Sequence, residues 1–194
     1  EEVIGRALEK GVDRIMAVGT DIESSVNSLE IANKHNGIYS TAGIHPNDAE
    51  TYNDGVKKRL LELLSEAKVV AVGEIGLDYY RDNTPKSIQQ DVFAEQLRIA
   101  REVNKPVVIH VRDAWDDVED VIEQTTNGAV KGVFHCYSGD LDTAHRLIKK
   151  GFFISFGGNI TFENFKNLDL LEQINLERVL IETDSPFLTP EPFR

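Results

Sequence analysis

Short runs of apolar and β-branched residues recur along the chain and are separated by longer, more polar stretches. The seven runs cover residues 14–19, 38–44, 69–73, 106–109, 132–134, 151–156 and 179–181. Their apolarity is nearly continuous rather than alternating, as in strands that are covered on both faces of a parallel sheet. The pattern therefore predicts seven buried parallel strands.

The stretches between the runs carry helical periodicity. In residues 86–103, Phe93, Leu97 and Ala100 fall at steps of three and four residues, and residues 55–67 repeat the pattern. Each such helix would lay one apolar stripe on the sheet. Regular alternation of strand and helix indicates βαβ units and a parallel sheet, either closed into a barrel or doubly wound.

The order of the elements favours the barrel. The chain begins inside a helical pattern, over residues 3–10, and ends just after a strand. One strand in front and one helix behind would complete eight of each, the count of a TIM barrel. We therefore expect a single α/β domain over residues 1–194, which contributes strands 2 to 8 of a TIM (β/α)8 barrel and is incomplete at both ends.

The composition is that of an ordered protein, with 41% hydrophobic and 28% charged residues. No apolar stretch approaches the ~20 residues that cross a bilayer, and the first residues lack the pattern of a secretion signal. We expect a cytosolic protein without membrane contact, with a monomer as the default state. The single cysteine, Cys136, cannot form an internal disulfide, so any metal would need nitrogen and oxygen ligands.

Side chains that bind metals or transfer protons stand at the carboxyl ends of five predicted strands. They are His45, Glu74, His110, His135 and Asp184. The active sites of TIM barrels are built at this end of the strands. Because such groups are costly to bury without a partner, and because imidazole with carboxylate suits Zn, Mn and similar ions, the pattern predicts a divalent metal site.

Five local motifs strengthen this prediction. They read GIHP at 43–46, VGEIGLDYY at 72–80, PVVIHVRDAWD at 106–116, FHCYSG at 134–139 and IETDSPFL at 181–188. In this order and spacing they resemble the TatD family of metal-dependent hydrolases over nearly the whole chain. The resemblance implies a TIM-barrel hydrolase, usually a deoxyribonuclease, that uses one or two divalent ions such as Zn, Mn or Mg.

The resemblance also implies roles for individual residues. Glu74, His110, His135 and Asp184 would be the metal ligands, and Glu74 could bridge two ions. The family has a further His-x-His pair on its first strand, which this chain does not contain. Bound ions would activate a water molecule for attack on a DNA phosphodiester, and Asp184 would accept the proton of that water.

Three more residues complete the predicted site. His45 would grip a phosphate or protonate the leaving oxygen. Arg112, two residues beyond His110 on the same side of an extended strand, would hold a phosphate with its planar guanidinium. In the loop of residues 76–85, Tyr80, together with its neighbours Tyr79 and Arg81, would stack on a base or touch a phosphate. The formal net charge of -12 opposes the gripping of long duplexes, which indicates that DNA ends are trimmed instead.

Other interpretations stay open on the sequence alone. Barrels host many chemistries, so an amidohydrolase-type enzyme that cuts a C–N or C–O bond of a small molecule is an alternative. A non-enzymatic relative is another, given the absent histidine pair. Asp78 fits either an acid beside the ligands or a turn residue, whereas His35 and His145 are interpreted as structural.

Overall fold

The structure is a computed structural model that describes residues 2–81, 83–163, 165 and 168–194. Asp82, in the predicted loop 76–85, lies outside these residues. The strands are β1 (Ile15–Ala17), β2 (Ile38–Ala42), β3 (Val69–Asp78), β4 (Val107–Arg112), β5 (Gly132–Phe134), β6 (Phe153–Phe156) and β7 (Val179–Ile181). The helices are α1 (Glu2–Glu9), α2 (Ile22–Lys34), α3 (Asp54–Leu64), α4 (Lys86–Glu102), α5 (Trp115–Thr126), α6 (Leu141–Lys149) and α7 (Leu168–Gln173).

All strands of the described ranges belong to one sheet. Its order is β1-β2-β3-β4-β5-β6-β7, and each strand is parallel to its neighbours. Parallel strands that follow one another in chain order are the arrangement of a TIM barrel. The structure confirms the predicted α/β fold: the sheet curls into part of such a barrel, with β1 and β7 at its edges.

The helices cover the sheet with the apolar stripes that the sequence predicts. Phe93, Leu97 and Ala100 of α4 and Leu60 and Leu64 of α3 are buried in one core cluster with the strands. Phe93 and Leu97 are four residues apart, so they lie above one another on the face that meets the sheet. In the part of the chain that the structure describes, no helix is long and apolar enough to cross a bilayer.

Two strands extend further than their apolar runs. β3 continues to Asp78 and β4 to Arg112, so Glu74 and His110 lie within strands rather than after them. The β3–β4 register shifts between Val72 and Ile75, which flank Glu74. The polar Glu74 interrupts the apolar pattern, but β3 pairs with β4 again from Ile75 onward, so the prediction ended β3 too early.

Candidate metal centre

Glu74 occupies the middle of the site. It lies within β3, and its backbone N–H donates to the carbonyl oxygen of Gly19, just beyond β1, at 2.7 Å. The residue is only 8% exposed. A carboxylate buried to this extent needs compensating partners, and three imidazoles provide them.

One oxygen of Glu74 faces a nitrogen of each of these three histidines. Oε1 lies 2.8 Å from Nε2 of His135, 3.0 Å from Nδ1 of His110 and 3.4 Å from Nε2 of His45. The histidines come from different strands, since His45 follows β2, His110 lies in β4 and His135 follows β5. Parallel strands bring their carboxyl ends to one rim, so residues distant in sequence meet there.

The opposite ring nitrogen of each histidine meets a different group. Nε2 of His110 lies 3.3 Å from Oδ2 of Asp78, and Nδ1 of His135 lies 3.4 Å from Oε1 of Glu182. Nδ1 of His45 instead accepts the backbone N–H of Asn47 at 3.1 Å. The outer ring nitrogens of His110 and His135 therefore face carboxylates, whereas the outer nitrogen of His45 faces an amide donor.

The electrostatics of this cluster pair carboxylates with imidazoles. Burial favours the neutral form of Glu74, but the charges and hydrogen bonds of the histidines outweigh burial and hold the pKa of Glu74 well below its usual value. Burial likewise opposes the charge on His135, yet Glu74 and Glu182 raise the pKa of His135 to about 10. Without a cation, protons on His110 and His135 compensate the buried carboxylate of Glu74.

Asp184 lies just beyond β7 and is coupled to the same cluster. Its backbone is left-handed, with a φ of 52°. Burial raises the pKa of Asp184; the positive charge of His135 opposes this effect, whereas the nearby carboxylates of Glu74 and Glu182 add to it. The raised pKa makes this carboxylate a better proton acceptor than an ordinary aspartate.

Arg112 and Tyr80 lie together beside the cluster. Arg112 ends β4 and pairs in register with Asp78 of β3. Its guanidinium carbon stacks over the ring of Tyr80, 3.7 Å from the ring centroid, while Tyr80 as a whole is 64% exposed. Such stacking is a cation–π contact, which fixes the plane of the guanidinium.

Asp78 combines both roles that its sequence context left open. Its Oδ1 accepts the backbone N–H groups of Tyr80 and Arg81, both at 3.1 Å, as a turn residue does. Its Oδ2 faces His110, so the same carboxylate also contacts the site. Burial disfavours the charge on Asp78, but His110, the turn amide and Arg112 lower its pKa to about 2.

Sequence reasoning missed two buried glutamines of α4 that hold the site segments. Gln96 accepts the N–H of Ile44 at 2.7 Å and donates to the Ile44 carbonyl at 3.0 Å. Gln89 does the same for Asp78, accepting its N–H at 2.8 Å and donating to its carbonyl at 3.0 Å. Both residues are 1% exposed. A polar residue on the apolar stripe of α4, next to Phe93 and Leu97, was the available signal.

Glu182 was also missed, although it stands in the same motif as Asp184. The motif placed the metal-type residue at Asp184, whereas Glu182, two positions earlier, turns toward His135. Its other oxygen, Oε2, accepts a short hydrogen bond from the hydroxyl of Ser155 in β6. A carboxylate directly after an apolar strand was the signal that could have found it.

These donors fit a divalent cation. Ligand atoms of His45, Glu74 and His110 lie within 4.8 Å of one another, and His135 Nε2 faces the same Glu74 oxygen. Imidazole nitrogen and carboxylate oxygen form the donor set of Zn, Mn and related ions. A cation can take the place of the imidazole protons that compensate Glu74, so the residues present match the chemistry of such an ion. Parallel barrel strands that deliver this donor set to one rim form a candidate metal centre in a fold of the TIM-barrel class.

The chain belongs to the TatD family. The family model described as TatD related DNase matches residues 1–194. The metal-dependent hydrolase YabD of Bacillus subtilis is 43% identical over 195 residues, which cover 100% of this chain and 76% of that protein. The protein named 3'-5' ssDNA/RNA exonuclease TatD from Cronobacter sakazakii is 37% identical, over 98% of this chain and 73% of that protein.

A solved structure supports the same assignment. The crystal structure of YJJV, a TatD homologue from Escherichia coli, superposes with a TM-score of 0.90 at 33% identity. The match covers 97% of this chain and 73% of that chain. The predicted family and the predicted fold are both confirmed.

Proposed function

We propose that this TatD-type hydrolase is a deoxyribonuclease that hydrolyses phosphodiester bonds of DNA and trims its ends. The observation that carries the proposal is the convergence of three imidazoles on Oε1 of Glu74, with an arginine beside them. A cation site next to a guanidinium suits a substrate with negative phosphate oxygens. The name of the Cronobacter relative gives further support.

In this proposal Glu74, His110, His135 and Asp184 hold one or two divalent ions such as Zn, Mn or Mg. When bound, such ions supply Lewis-acid activation of water and neutralise charge on the phosphate. The assignment of the first three residues is supported by the short distances from Glu74 to His110 and His135. Asp184 is assigned from its motif.

Two residues of the chain move protons in the proposed reaction. Asp184 accepts the proton of the attacking water, a role that its raised pKa favours. His45 contacts a phosphate oxygen or donates a proton to the leaving oxygen. Its Nε2 faces the site while its Nδ1 is fixed by the Asn47 amide, so the ring is held in one orientation for either role.

Arg112 and Tyr80 bind the substrate in this proposal. The guanidinium of Arg112 contacts a phosphate, and the exposed ring of Tyr80 stacks on a base. The formal net charge of -12 argues against a long electrostatic contact with duplex DNA. Recognition therefore concentrates on a few nucleotides near a strand end.

The test is nucleotide release from end-labelled single-stranded DNA by the full chain, with Mn²⁺, Mg²⁺ or Zn²⁺ added after chelation. We expect metal-dependent release that Glu74→Gln abolishes. His145→Gln, which alters an exposed histidine of α6 outside the site, is the matched control and should retain full activity. Absence of release with every metal, or release that survives Glu74→Gln, contradicts the proposal.

A substrate panel separates this function from its rival. If amide or lactone substrates turn over while DNA does not, the chain is a small-molecule hydrolase of the amidohydrolase type. The substrate contact is tested separately with Tyr80→Ala, for which we expect a raised KM for DNA, because base stacking contributes about 1–3 kcal/mol. Tyr80→Phe keeps the ring and is the control. An unchanged KM in Tyr80→Ala removes Tyr80 from the substrate site.

A further inference from the structure

The three histidines around Glu74 differ in what lies behind them. A carboxylate backs His110 and another backs His135, whereas a backbone amide backs His45. A neutral imidazole has one N–H donor and one lone pair, on opposite nitrogens. The group behind each ring therefore decides which of the two is presented to the centre of the site.

Carboxylates and amides have opposite effects in this respect. A carboxylate can only accept, so the nitrogen facing Asp78 or Glu182 keeps its hydrogen. When a cation replaces the inward protons that face Glu74 in the metal-free site, the opposite nitrogen then offers its lone pair to that cation. A backbone N–H can only donate, so Nδ1 of His45 supplies the lone pair and Nε2 directs its hydrogen inward. Only a ring with an inward lone pair can bind a cation.

We infer that Asp78 and Glu182 are positioning residues that make His110 and His135 metal ligands, while the Asn47 amide makes His45 a hydrogen-bond donor. The inference rests on the ligand set of the proposed function and adds the atoms: Nδ1 of His110 and Nε2 of His135 bind the metal. The inference also excludes His45 from the metal ligands, although Nε2 of His45 lies only 3.4 Å from Oε1 of Glu74.

The surroundings of Asp78 leave its carboxylate little freedom. Its Oδ1 holds the turn amides of Tyr80 and Arg81, and its backbone is paired to Gln89 on both sides. The side chain is 2% exposed, so water cannot replace these contacts. An asparagine at this position must keep its oxygen on the turn amides and must therefore turn its NH₂ group toward Nε2 of His110.

This constraint makes Asp78→Asn a sharp test. The substitution preserves the size of the side chain and the turn, but it places a donor where His110 requires an acceptor. His110 then holds its hydrogen on Nδ1 and loses the inward lone pair. We expect the affinity of the full chain for Zn²⁺, measured by competition with a chromophoric chelator, to fall about 10- to 100-fold.

A second readout reports the ring itself. In the Zn²⁺-loaded wild-type chain, long-range ¹H–¹⁵N spectra of the histidine rings should show hydrogen on Nε2 of His110 and on Nδ1 of His135. Asp91→Asn, an exposed change on α4, is the matched control and should leave the Zn²⁺ affinity and both ring patterns unchanged. His45→Gln should also keep the wild-type affinity for Zn²⁺.

Glu182→Met repeats the test at the other ligand. Methionine has nearly the volume of glutamate but cannot accept the hydrogen on Nδ1 of His135, whereas a glutamine could still present its oxygen there because the Ser155 hydroxyl can accept as well as donate. Wild-type Zn²⁺ affinity in both Asp78→Asn and Glu182→Met overturns the inference, as does a loss of affinity in His45→Gln equal to theirs. These titrations contain no DNA, so a chain that binds Zn²⁺ as expected but releases no nucleotides contradicts the proposed function alone.

Discussion

Replacing Gln96 with methionine tests whether α4 holds the segment that carries His45. Methionine fills nearly the same volume but neither donates nor accepts as an amide does. The Ile44 N–H loses its acceptor at 2.7 Å and the Ile44 carbonyl loses its donor at 3.0 Å. Gln96 and Ile44 are each 1% exposed, so water cannot replace these hydrogen bonds.

The structure sets the expected size of the effect. A buried backbone group left without a partner costs about 1–3 kcal/mol, so two such groups should lower the free energy of unfolding by about 2–5 kcal/mol. Because methionine is apolar and suits the core, we expect the decrease in the free energy of unfolding to lie below the upper end of this range. The free energy of unfolding is measured by urea denaturation, with extrapolation to water.

Gln124→Met is the matched control, since it makes the same chemical change on the exposed face of α5. It should alter the free energy of unfolding by no more than about 0.5 kcal/mol. Equal urea midpoints and slopes for the two variants would refute the reasoning. The two hydrogen bonds of Gln96 would then contribute no more to the free energy of unfolding than an exposed glutamine does.

Three further predictions concern β3 and the metal. Gly76→Ala should destabilise the fold by more than about 1 kcal/mol, because Gly76 has a φ of 140° and a Cβ would collide with the carbonyl oxygen of His110; a wild-type melting temperature contradicts it. The depressed pKa of Asp78 stabilises the metal-free fold above its ordinary value of 3.8, and this contribution is lost as the pH falls toward about 2. Urea denaturation should therefore find Asp78→Asn less stable than wild type by about 2 kcal/mol at pH 6, and this difference in the free energy of unfolding should vanish near pH 2. A difference of the same size at pH 2 contradicts the prediction. Zn²⁺ at a hundredfold excess over its Kd should raise the free energy of unfolding by about 2.7 kcal/mol, an increase that a chelator reverses and that Glu74→Gln should lack.

The sequence predicted the strands and the rim because both follow from simple physical patterns. Buried parallel strands need continuous apolar runs, and β1 to β7 all fall on such runs. A histidine or carboxylate next to such a run has few structural explanations, which singled out His135 and Glu74. The prediction ended β3 too early, because β3 resumes its pairing with β4 at Ile75, beyond the polar Glu74.

The partners behind the histidines could not be predicted in the same way. Asp78 and His110 are 32 residues apart, and their contact depends on the register of β3 against β4, which no local pattern specifies. The stacking of Arg112 on Tyr80 depends on side-chain rotamers in addition. The cytosolic location, the monomeric state and the single-domain organisation stay predictions.

The glutamines of α4 connect the stability of the fold to the geometry of the site. Gln89 and Gln96 are two helical turns apart and lie on the stripe that packs on the sheet, so one rigid helix holds Asp78 and Ile44 at once. Asp78 backs His110, and Ile44 precedes His45, so the helix fixes one predicted ligand and one predicted donor relative to each other. Hydrogen bonds to backbone atoms fix these positions better than apolar packing does. Packing tolerates small translations of one element along another, whereas a pair of hydrogen bonds from one side-chain amide does not. A purely apolar stripe on α4 would cover the sheet equally well but would leave the two segments free to shift against Glu74.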